Sequence, residues 1–339
     1  MSSEKTKLDP DSIYLVTGTV HPELAEQTAK AMGIELGPVN RKRFANSEMY
    51  VQYASSVRGK HVIIIQTFAH DYKRHLSVND ALMETMLLID AAYRSSASEI
   101  TVVIPYLGYG RQDRKAKGRE PISAAVVTKM LETAGAHRLV TVDMHSPQTQ
   151  GTFHGPFDHL VADKTILDGL KAEIGDRDPE LFAIVSPDTG RAKESERAAD
   201  YLGIRLRHLQ KTRDRKDSSK LLRPKKLQGV DGRICFMNDD MIDTAGTLIT
   251  AAQTLRDSGA TGVIASATHA LLSDPAIERL EGGIIDKLIV TDTVPVDYAK
   301  KVLGDRLEVI SVAPMLATAL EEIATGGSVS ELFGGRNYF

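Results

Sequence analysis

The chain has 339 residues, of which 42% are apolar and 26% charged, with a formal net charge of −3. This composition is typical of a globular enzyme with room for two α/β domains, and without a basic excess we expect no nucleic-acid or anionic-membrane binding. The polar N-terminus lacks the apolar core of a signal peptide, and no apolar run approaches the roughly 20 residues of a bilayer span, so we expect a cytoplasmic protein. The single cysteine, Cys235, excludes a disulfide within one chain, and its apolar neighbours predict a buried thiol.

The N-terminal half alternates apolar runs with helical patterns, as in a parallel α/β sheet. The runs predict buried strands over residues 13–16, 61–66, 100–105 and 138–142. Three helices are predicted: one that begins near Pro22, one over residues 78–95, and one from Ala124 to Ala134. After the first of these helices, the alternating run Met49–Tyr53 predicts an exposed antiparallel strand that follows a polar turn.

Polar clusters follow two of these strands. Arg111, Arg114 and Lys115 lie after residues 100–105 in a loop with two glycines, where they can bind nucleotide phosphates or form a solvated charge run. Asp143 and His145 follow the next strand. We expect them to alternate on one side of an extended chain, which would let both face a divalent cation, although a histidine after a strand is more often a surface group.

Residues 157–160 mark the expected crossing into a second domain. Leu170–Asp178 is predicted as a polar connection, and a strand over residues 181–185 leads to Asp188, which by itself is a plain helix N-cap. The charged segment Lys211–Lys220 is predicted to be a loop, either solvated or able to close over a polyphosphate.

The stretch GRICFMNDDMIDTAGTLIT, residues 232–250, organises the second half. Ile234–Met237 predicts a buried strand, Asp239 and Asp240 are expected where it ends, and Asp243–Thr247 leads into a helix over Leu248–Leu255. Further strands are predicted over residues 262–269 and 286–295, and a last helix over residues 315–323.

Ligands of open α/β sheets bind outside the carboxyl ends of the strands, and a helix N-terminus favours an anion. Ala245 and Gly246 let the backbone approach a phosphate, to which the hydroxyls of Thr244 and Thr247 can donate. The aspartates would then accept hydrogen bonds from sugar hydroxyls or face a cation. A ribose phosphate satisfies both requirements, although acidic residues that complement the helix dipole are the simpler alternative.

Several of these motifs resemble those of one family. DDMIDTAGT resembles the phosphoribosyl-pyrophosphate (PRPP) loop of type I phosphoribosyltransferases and of ribose-phosphate pyrophosphokinases, also called PRPP synthetases. IPYLGYGRQDRKAKGREPISA resembles an ATP-binding block of the pyrophosphokinases, which ordinary phosphoribosyltransferases lack. DMH at 143–145, SPD at 186–188 and the Lys-x-Arg pair at 211–213 are similar to the metal blocks and the catalytic flexible loop of that family. The resemblance extends from Ile13 to Phe333.

The resemblance implies an α/β fold of two type I phosphoribosyltransferase-like domains with mostly parallel central sheets and flanking helices. Residues 1–157 would form the first domain, completed by a C-terminal helix over 314–339, and residues 158–313 the second. The implied reaction transfers the pyrophosphoryl group of MgATP to the anomeric hydroxyl of ribose 5-phosphate, giving PRPP and AMP. The implied cofactor is Mg²⁺, and the implied assembly is a homohexamer.

The family's functional residues carry over to matching positions. Lys211 and Arg213 would be catalytic, and His145 and Asp188 would bind the metal. The residues implied for ATP are Phe44, Asn46, Ser47, Glu48, Arg111, Gln112 and Asp113. Those implied for ribose 5-phosphate are Arg213, Asp239, Asp240, Asp243, Thr244, Ala245, Gly246 and Thr247.

The sequence departs from the family motifs at two places, and two alternative functions stay open. The usual FxDGE turn reads FANSE here, and Arg191 and Glu194 replace a glycine and a basic residue of the common pattern. A PRPP-consuming phosphoribosyltransferase shares the central loop, and a noncatalytic regulatory subunit shares the fold. The RQDRK and DMH blocks argue against the first. The second is disfavoured because the chain keeps the metal and flexible-loop residues His145, Asp188, Lys211 and Arg213.

Overall fold

We describe residues 8–186, 192–208 and 227–333 of a computed structural model of the chain. They form two compact units. Unit 1 contains the described residues up to Val161, the segment Thr293–Pro295 and the residues from Ser311 onward, and unit 2 contains those within Ala162–Asp292 and Val296–Ile310. Within these ranges, no helix has the length and apolar character required for a bilayer span.

Unit 1 is built on a parallel sheet flanked by helices. Its described strands are β1 (Ile13–Thr17), β2 (Val39–Arg43), β3 (Met49–Tyr53), β4 (His61–Ile65), β5 (Glu99–Ile104), β6 (Arg138–Val142) and β7 (Phe157–Leu160). Five of them form the sheet in the order β1-β4-β5-β6-β7, and β2 and β3 form a separate antiparallel hairpin. The helices are α1 (Pro22–Met32), α2 (Val78–Arg94), α3 (Ser123–Ala134) and the C-terminal α9 (Ala313–Thr325). Fully buried aliphatic side chains of β4 and β5 form the centre of the core.

Unit 2 contains a six-stranded parallel sheet in the order β13-β12-β11-β10-β8-β9. Its strands are β8 (Phe182–Ser186), β9 (Arg205–His208), β10 (Ile234–Ile242), β11 (Gly262–Ala270), β12 (Lys287–Thr291) and β13 (Leu307–Ile310). The helices are α4 (Asp163–Ile174), α5 (Ala192–Leu202), α6 (Gly246–Asp257), α7 (Ala276–Glu281) and α8 (Asp297–Leu303). The stacked rings of Phe182 and Phe236, with centroids 5.4 Å apart, lie in the core.

The predicted fold class is confirmed, because both sheets are parallel and have flanking helices. The connection predicted over Leu170–Asp178 is partly wrong, since its first half is the end of α4. Inside α4, a Cβ at Gly169 would lie 2.2 Å from Ile310 Cδ1. Helix α4 packs against the sheet there, so glycine is tolerated inside the helix.

Candidate functional site

Strand β10 is longer than the sequence predicts. Among the described residues it pairs with β8 over Ile234–Phe236, and its pairing with β11 continues to Ile242. The predicted end at Met237 is therefore wrong, and Asp239 and Asp240 lie inside the strand, both half-buried. The ladder continues because β11 is equally long, so backbone hydrogen bonds hold this part of β10 beyond the end of its pairing with β8.

The connection between β10 and α6 presents the start of a helix. Ala245, which precedes the first helical residue Gly246, is buried and adopts the left-handed conformation with φ 58°. It provides no side-chain cap for the backbone N–H groups that begin the helix, while Thr244 and Thr247 are exposed beside them. Such N–H groups, with neighbouring hydroxyls, form a suitable binding site for a phosphate.

Arg279 of α7 holds this connection in place. Its Nη1 donates a hydrogen bond to the carbonyl oxygen of Thr244 at 2.6 Å. The same nitrogen would lie 3.1 Å from a Cβ at Gly246, so glycine leaves room for the guanidinium. Arg279 could not be predicted from the sequence, because 35 positions separate it from Thr244 and no local pattern links them.

In unit 1, the loop after β5 is tightly folded around two glycines. A Cβ at Gly108 would lie 2.6 Å from the carbonyl oxygen of Phe68, and Tyr109 adopts φ 66° with its hydroxyl donating to Asn79 Oδ1. Gln112 Oε1 accepts a hydrogen bond from the hydroxyl of Ser123, the first residue of α3.

The predicted nucleotide-binding residues of this loop are accessible to solvent. Arg111 and Gln112 are exposed and Asp113 is half-buried. The folded backbone thus presents these polar side chains close to the N-terminus of a helix, where a phosphate is favoured.

The turn between β2 and β3 contains the other predicted ATP-binding residues. The Phe44 N–H donates to the carbonyl oxygen of Glu48 at 2.8 Å, and the Ser47 N–H donates to that of Phe44 at 2.9 Å. Asn46 Oδ1 accepts from the Glu48 N–H at 3.3 Å. Phe44 is 45% exposed, so its side chain is accessible to a ligand.

The segment after β6 does not have the predicted geometry. Asp143 adopts φ 39°, so the chain bends there and the expected alternation of Asp143 and His145 along an extended chain is wrong. His145 is exposed and Asp143 is half-buried. Among the described residues, no group of three or more His, Cys, Asp or Glu side chains is arranged to hold a metal ion. Asp188, Lys211 and Arg213 lie outside the described residues.

Comparison with known proteins identifies the family. A model of the N-terminal domain of ribose phosphate pyrophosphokinase matches residues 13–135, and one of the phosphoribosyl synthetase-associated domain matches residues 215–334. A ribose-phosphate pyrophosphokinase of Bifidobacterium longum is 44% identical over 96% of this chain and 93% of its own length. This chain belongs to the ribose-phosphate pyrophosphokinase family.

Other members of the ribose-phosphate pyrophosphokinase family give the same result. The enzyme of Mycobacterium leprae is 42% identical over 96% of each chain. The crystal structure of phosphoribosylpyrophosphate synthetase from Mycobacterium smegmatis is 40% identical, with a TM-score of 0.82 and coverage of 93% of this chain and 100% of that chain. The resemblance noted from the motifs is thereby confirmed over nearly the whole chain.

The turn Phe44–Glu48 accommodates its departures from the family pattern FxDGE. Ser47 occupies the glycine position and adopts φ 73°, the left-handed conformation that glycine favours, so serine is strained there. Asn46 occupies the aspartate position, and its Oδ1 accepts the Glu48 N–H as a carboxylate oxygen can. The shape of the turn therefore needs no aspartate, whereas the negative charge at position 46 is lost.

Proposed function

We propose that this chain transfers the β,γ-pyrophosphoryl group of ATP to the C1 hydroxyl of ribose 5-phosphate, giving PRPP and AMP for nucleotide biosynthesis. The hydroxyl oxygen attacks the β-phosphorus, the bond from that phosphorus to the α,β-bridging oxygen breaks, and AMP leaves. Such a transfer depends on positioning and charge neutralisation more than on a nucleophilic side chain. The observation that carries the proposal is the β10–α6 connection, whose residues match the PRPP loop of the family.

Unit 2 would bind the sugar phosphate. The N–H groups at the start of α6 and the exposed hydroxyls of Thr244 and Thr247 suit the 5-phosphate. The half-buried carboxylates of Asp239 and Asp240 suit the ribose hydroxyls, from which they would accept hydrogen bonds. Asp243, Ala245, Gly246 and Arg213 are assigned to the same ligand by the family motif.

Unit 1 would bind the nucleotide. Arg111 and Gln112 are exposed near the N-terminus of α3 and suit the phosphates of ATP, with Asp113 beside them. The exposed ring of Phe44 suits an adenine face, since aromatic rings stack on bases regardless of their hydrogen-bonding edges. Asn46, Ser47 and Glu48 complete the same turn.

His145 and Asp188 would hold Mg²⁺ together with the phosphates of ATP. His145 is exposed just after the carboxyl end of β6. Because Mg²⁺ prefers oxygen ligands, we expect the phosphate oxygens of ATP to supply most of its coordination there. When bound, the metal would neutralise phosphate charge and orient the nucleotide. Lys211 and Arg213 would stabilise the charge on the transferring group.

For the assembly and the location, family membership is the only support. We infer a homo-oligomer, a hexamer as the family leads us to expect, in the cytoplasm. Residues 1–157 with 314–339, and residues 158–313, would be its two phosphoribosyltransferase-like domains. Mass photometry of the purified protein measures the oligomeric state directly, and a monomer at micromolar concentration would contradict the inferred homo-oligomer.

The activity is tested by incubating the purified protein with ATP, Mg²⁺ and ribose 5-phosphate and following the products by ³¹P NMR. AMP and PRPP should appear in equal amounts, and chelation with EDTA should stop the reaction. Ribose in place of ribose 5-phosphate serves as the control without the 5-phosphate, and it should give no product. ADP as the nucleotide product, or AMP without PRPP, would overturn the proposed function.

A further inference from the structure

The β2–β3 hairpin that carries the turn Phe44–Glu48 has two chemically different faces. Arg41 and Arg43 are two positions apart in β2, and Lys42 lies between them, paired across the hairpin with Tyr50. Because side chains alternate along a strand, both arginines lie on one face and Lys42 lies on the other.

The arginine face is joined to helix α2 by two ion pairs. Arg41 Nε lies 2.8 Å from Glu84 Oε1, and Arg43 Nη2 lies 2.7 Å from Asp80 Oδ1. Arg41 and Arg43 are about 6.6 Å apart along the strand, and Asp80 and Glu84 are about 6 Å apart along the helix axis. Because the two spacings match, both ion pairs form at once. The hairpin is therefore fixed along its length and cannot slide over α2 without breaking both pairs.

Each carboxylate is itself held by other groups. Glu84 has a side chain only 4% exposed, and it accepts hydrogen bonds from the N–H and hydroxyl of Thr19 and from Gln66 Nε2, at 2.7–2.9 Å. Asp80 accepts from the N–H and hydroxyl of Ser77 in the capping box of α2. Because these acceptors are already ordered, the pairs cost less conformational entropy than isolated surface pairs do.

The opposite face orders the ring of Phe44. Lys42 Nζ lies 4.7 Å from the Phe44 ring centroid and 4.8 Å from that of Tyr50. The two rings meet edge to face, with centroids 6.5 Å apart. A cation shared by two rings restrains both of them.

We propose that Arg41 and Arg43 are positioning residues, which fix the turn Phe44–Glu48 for contact with ATP. This rests on the proposed function, because it takes that turn to be a nucleotide contact. Neither arginine contacts the substrate; both act by holding the backbone from which Phe44 extends.

Methionine keeps much of the aliphatic stem of arginine and removes its charge, so Arg41→Met, Arg43→Met and the double variant test the proposal. We expect the KM for ATP to rise about tenfold in Arg41→Met, with the KM for ribose 5-phosphate changed less than about twofold. Arg41→Lys should recover most of the loss, because it keeps a cation near Glu84. Arg205→Met, which removes an exposed strand arginine paired with Glu180 in unit 2, is the matched control and should change neither KM.

Hydrogen exchange gives a readout independent of activity. The amides of residues 39–53 should exchange faster in the double variant than in the wild type, with no change elsewhere in unit 1. Unchanged exchange would show that the arginines do not hold the hairpin, and faster exchange with an unchanged KM for ATP would show that the hairpin does not position the nucleotide; either result overturns the inference. A wild-type protein without diphosphokinase activity would instead refute the proposed function, while the exchange experiment would still test the anchoring.

Discussion

Arg279 Nη1 donates a hydrogen bond to the carbonyl oxygen of Thr244 at 2.6 Å and thereby ties α7 to the connection before α6. The positively charged guanidinium thus lies within one hydrogen bond of the backbone that would bind the 5-phosphate. Arg279 is itself exposed, so its charge is available to an anion as well as to the carbonyl.

Arg279→Met should raise the KM for ribose 5-phosphate about tenfold or more, because a hydrogen bond from a charged donor contributes about 1.5–3 kcal/mol. The KM for ATP should stay within about twofold of the wild-type value. Steady-state kinetics with each substrate varied in turn measure both. Glu278→Gln, a neighbouring exposed position on the same helix, is the control, and an equal effect in both variants would refute a specific role of Arg279.

Asp240→Asn should weaken ribose 5-phosphate binding without weakening the fold. The Oδ1 atoms of Asp239 and Asp240 each accept the N–H of the following residue at 2.9 Å, and an asparagine Oδ1 can accept the same bond. The substitution removes the charge and acceptor capacity that the ribose hydroxyls would use, so we expect at least a tenfold rise in KM for the sugar phosphate. Calorimetry should find Tm unchanged within about 2 °C. Asp257→Asn in α6 is the control, and a large loss of Tm in Asp240→Asn would assign the carboxylate a structural role instead.

Cys235 should resist thiol reagents in the native protein. It is fully buried in β10, and burial raises the pKa of its thiol to about 12, so hardly any thiolate forms at neutral pH. Labelling with Ellman's reagent at pH 8 should therefore give no signal over about an hour, and one equivalent after unfolding in guanidinium chloride. Rapid labelling without denaturant would contradict the buried position of this strand.

His61 should make the protein less stable as the pH falls below about 6.5. Burial lowers the pKa of His61 and the charges of Arg138 and His137 lower it further, against the opposing effect of Glu99. The unfolded chain then binds the proton at a higher pH than the folded chain does, so the free energy of unfolding decreases from the unfolded pKa down to the folded pKa.

Urea unfolding between pH 7.5 and 5.5 measures this dependence. His61→Gln should flatten it. Equal slopes in the wild type and in His61→Gln would show that another group controls the stability over this range.

Much of the fold was predictable because its signals are local. Residues 138–142 are predicted as a strand, and β6 has these bounds. The helix expected near Pro22 begins at that residue, where the ring satisfies the geometry of a first helical position. Helix α4 was not predicted, and the fit of Gly169 inside it depends on the close approach of Ile310, which no local pattern reveals.

The candidate site was predictable only in part. The stretch from Asp239 to Thr247 predicts a ribose phosphate loop, since its acidic, small and hydroxylic residues are consecutive in the chain. The bend at Asp143 was not predictable, because a left-handed conformation of a non-glycine residue depends on its surroundings, here on the N–H of Asp143 donating to the carbonyl oxygen of Leu160.

The sequence by itself determined the alternation of strands and helices, the buried thiol and the family motifs, all of which are properties of neighbouring residues. Only the tertiary structure decided how far β10 extends, because a strand continues as long as a partner such as β11 offers backbone groups to pair with. It also decided the hydrogen-bond acceptors of two arginines: Arg279 donates to Thr244, and Arg41 donates to Glu84. These partners lie 35 and 43 positions apart. Only the approach of α7 to the connection before α6, and of the β2–β3 hairpin to α2, brings them together.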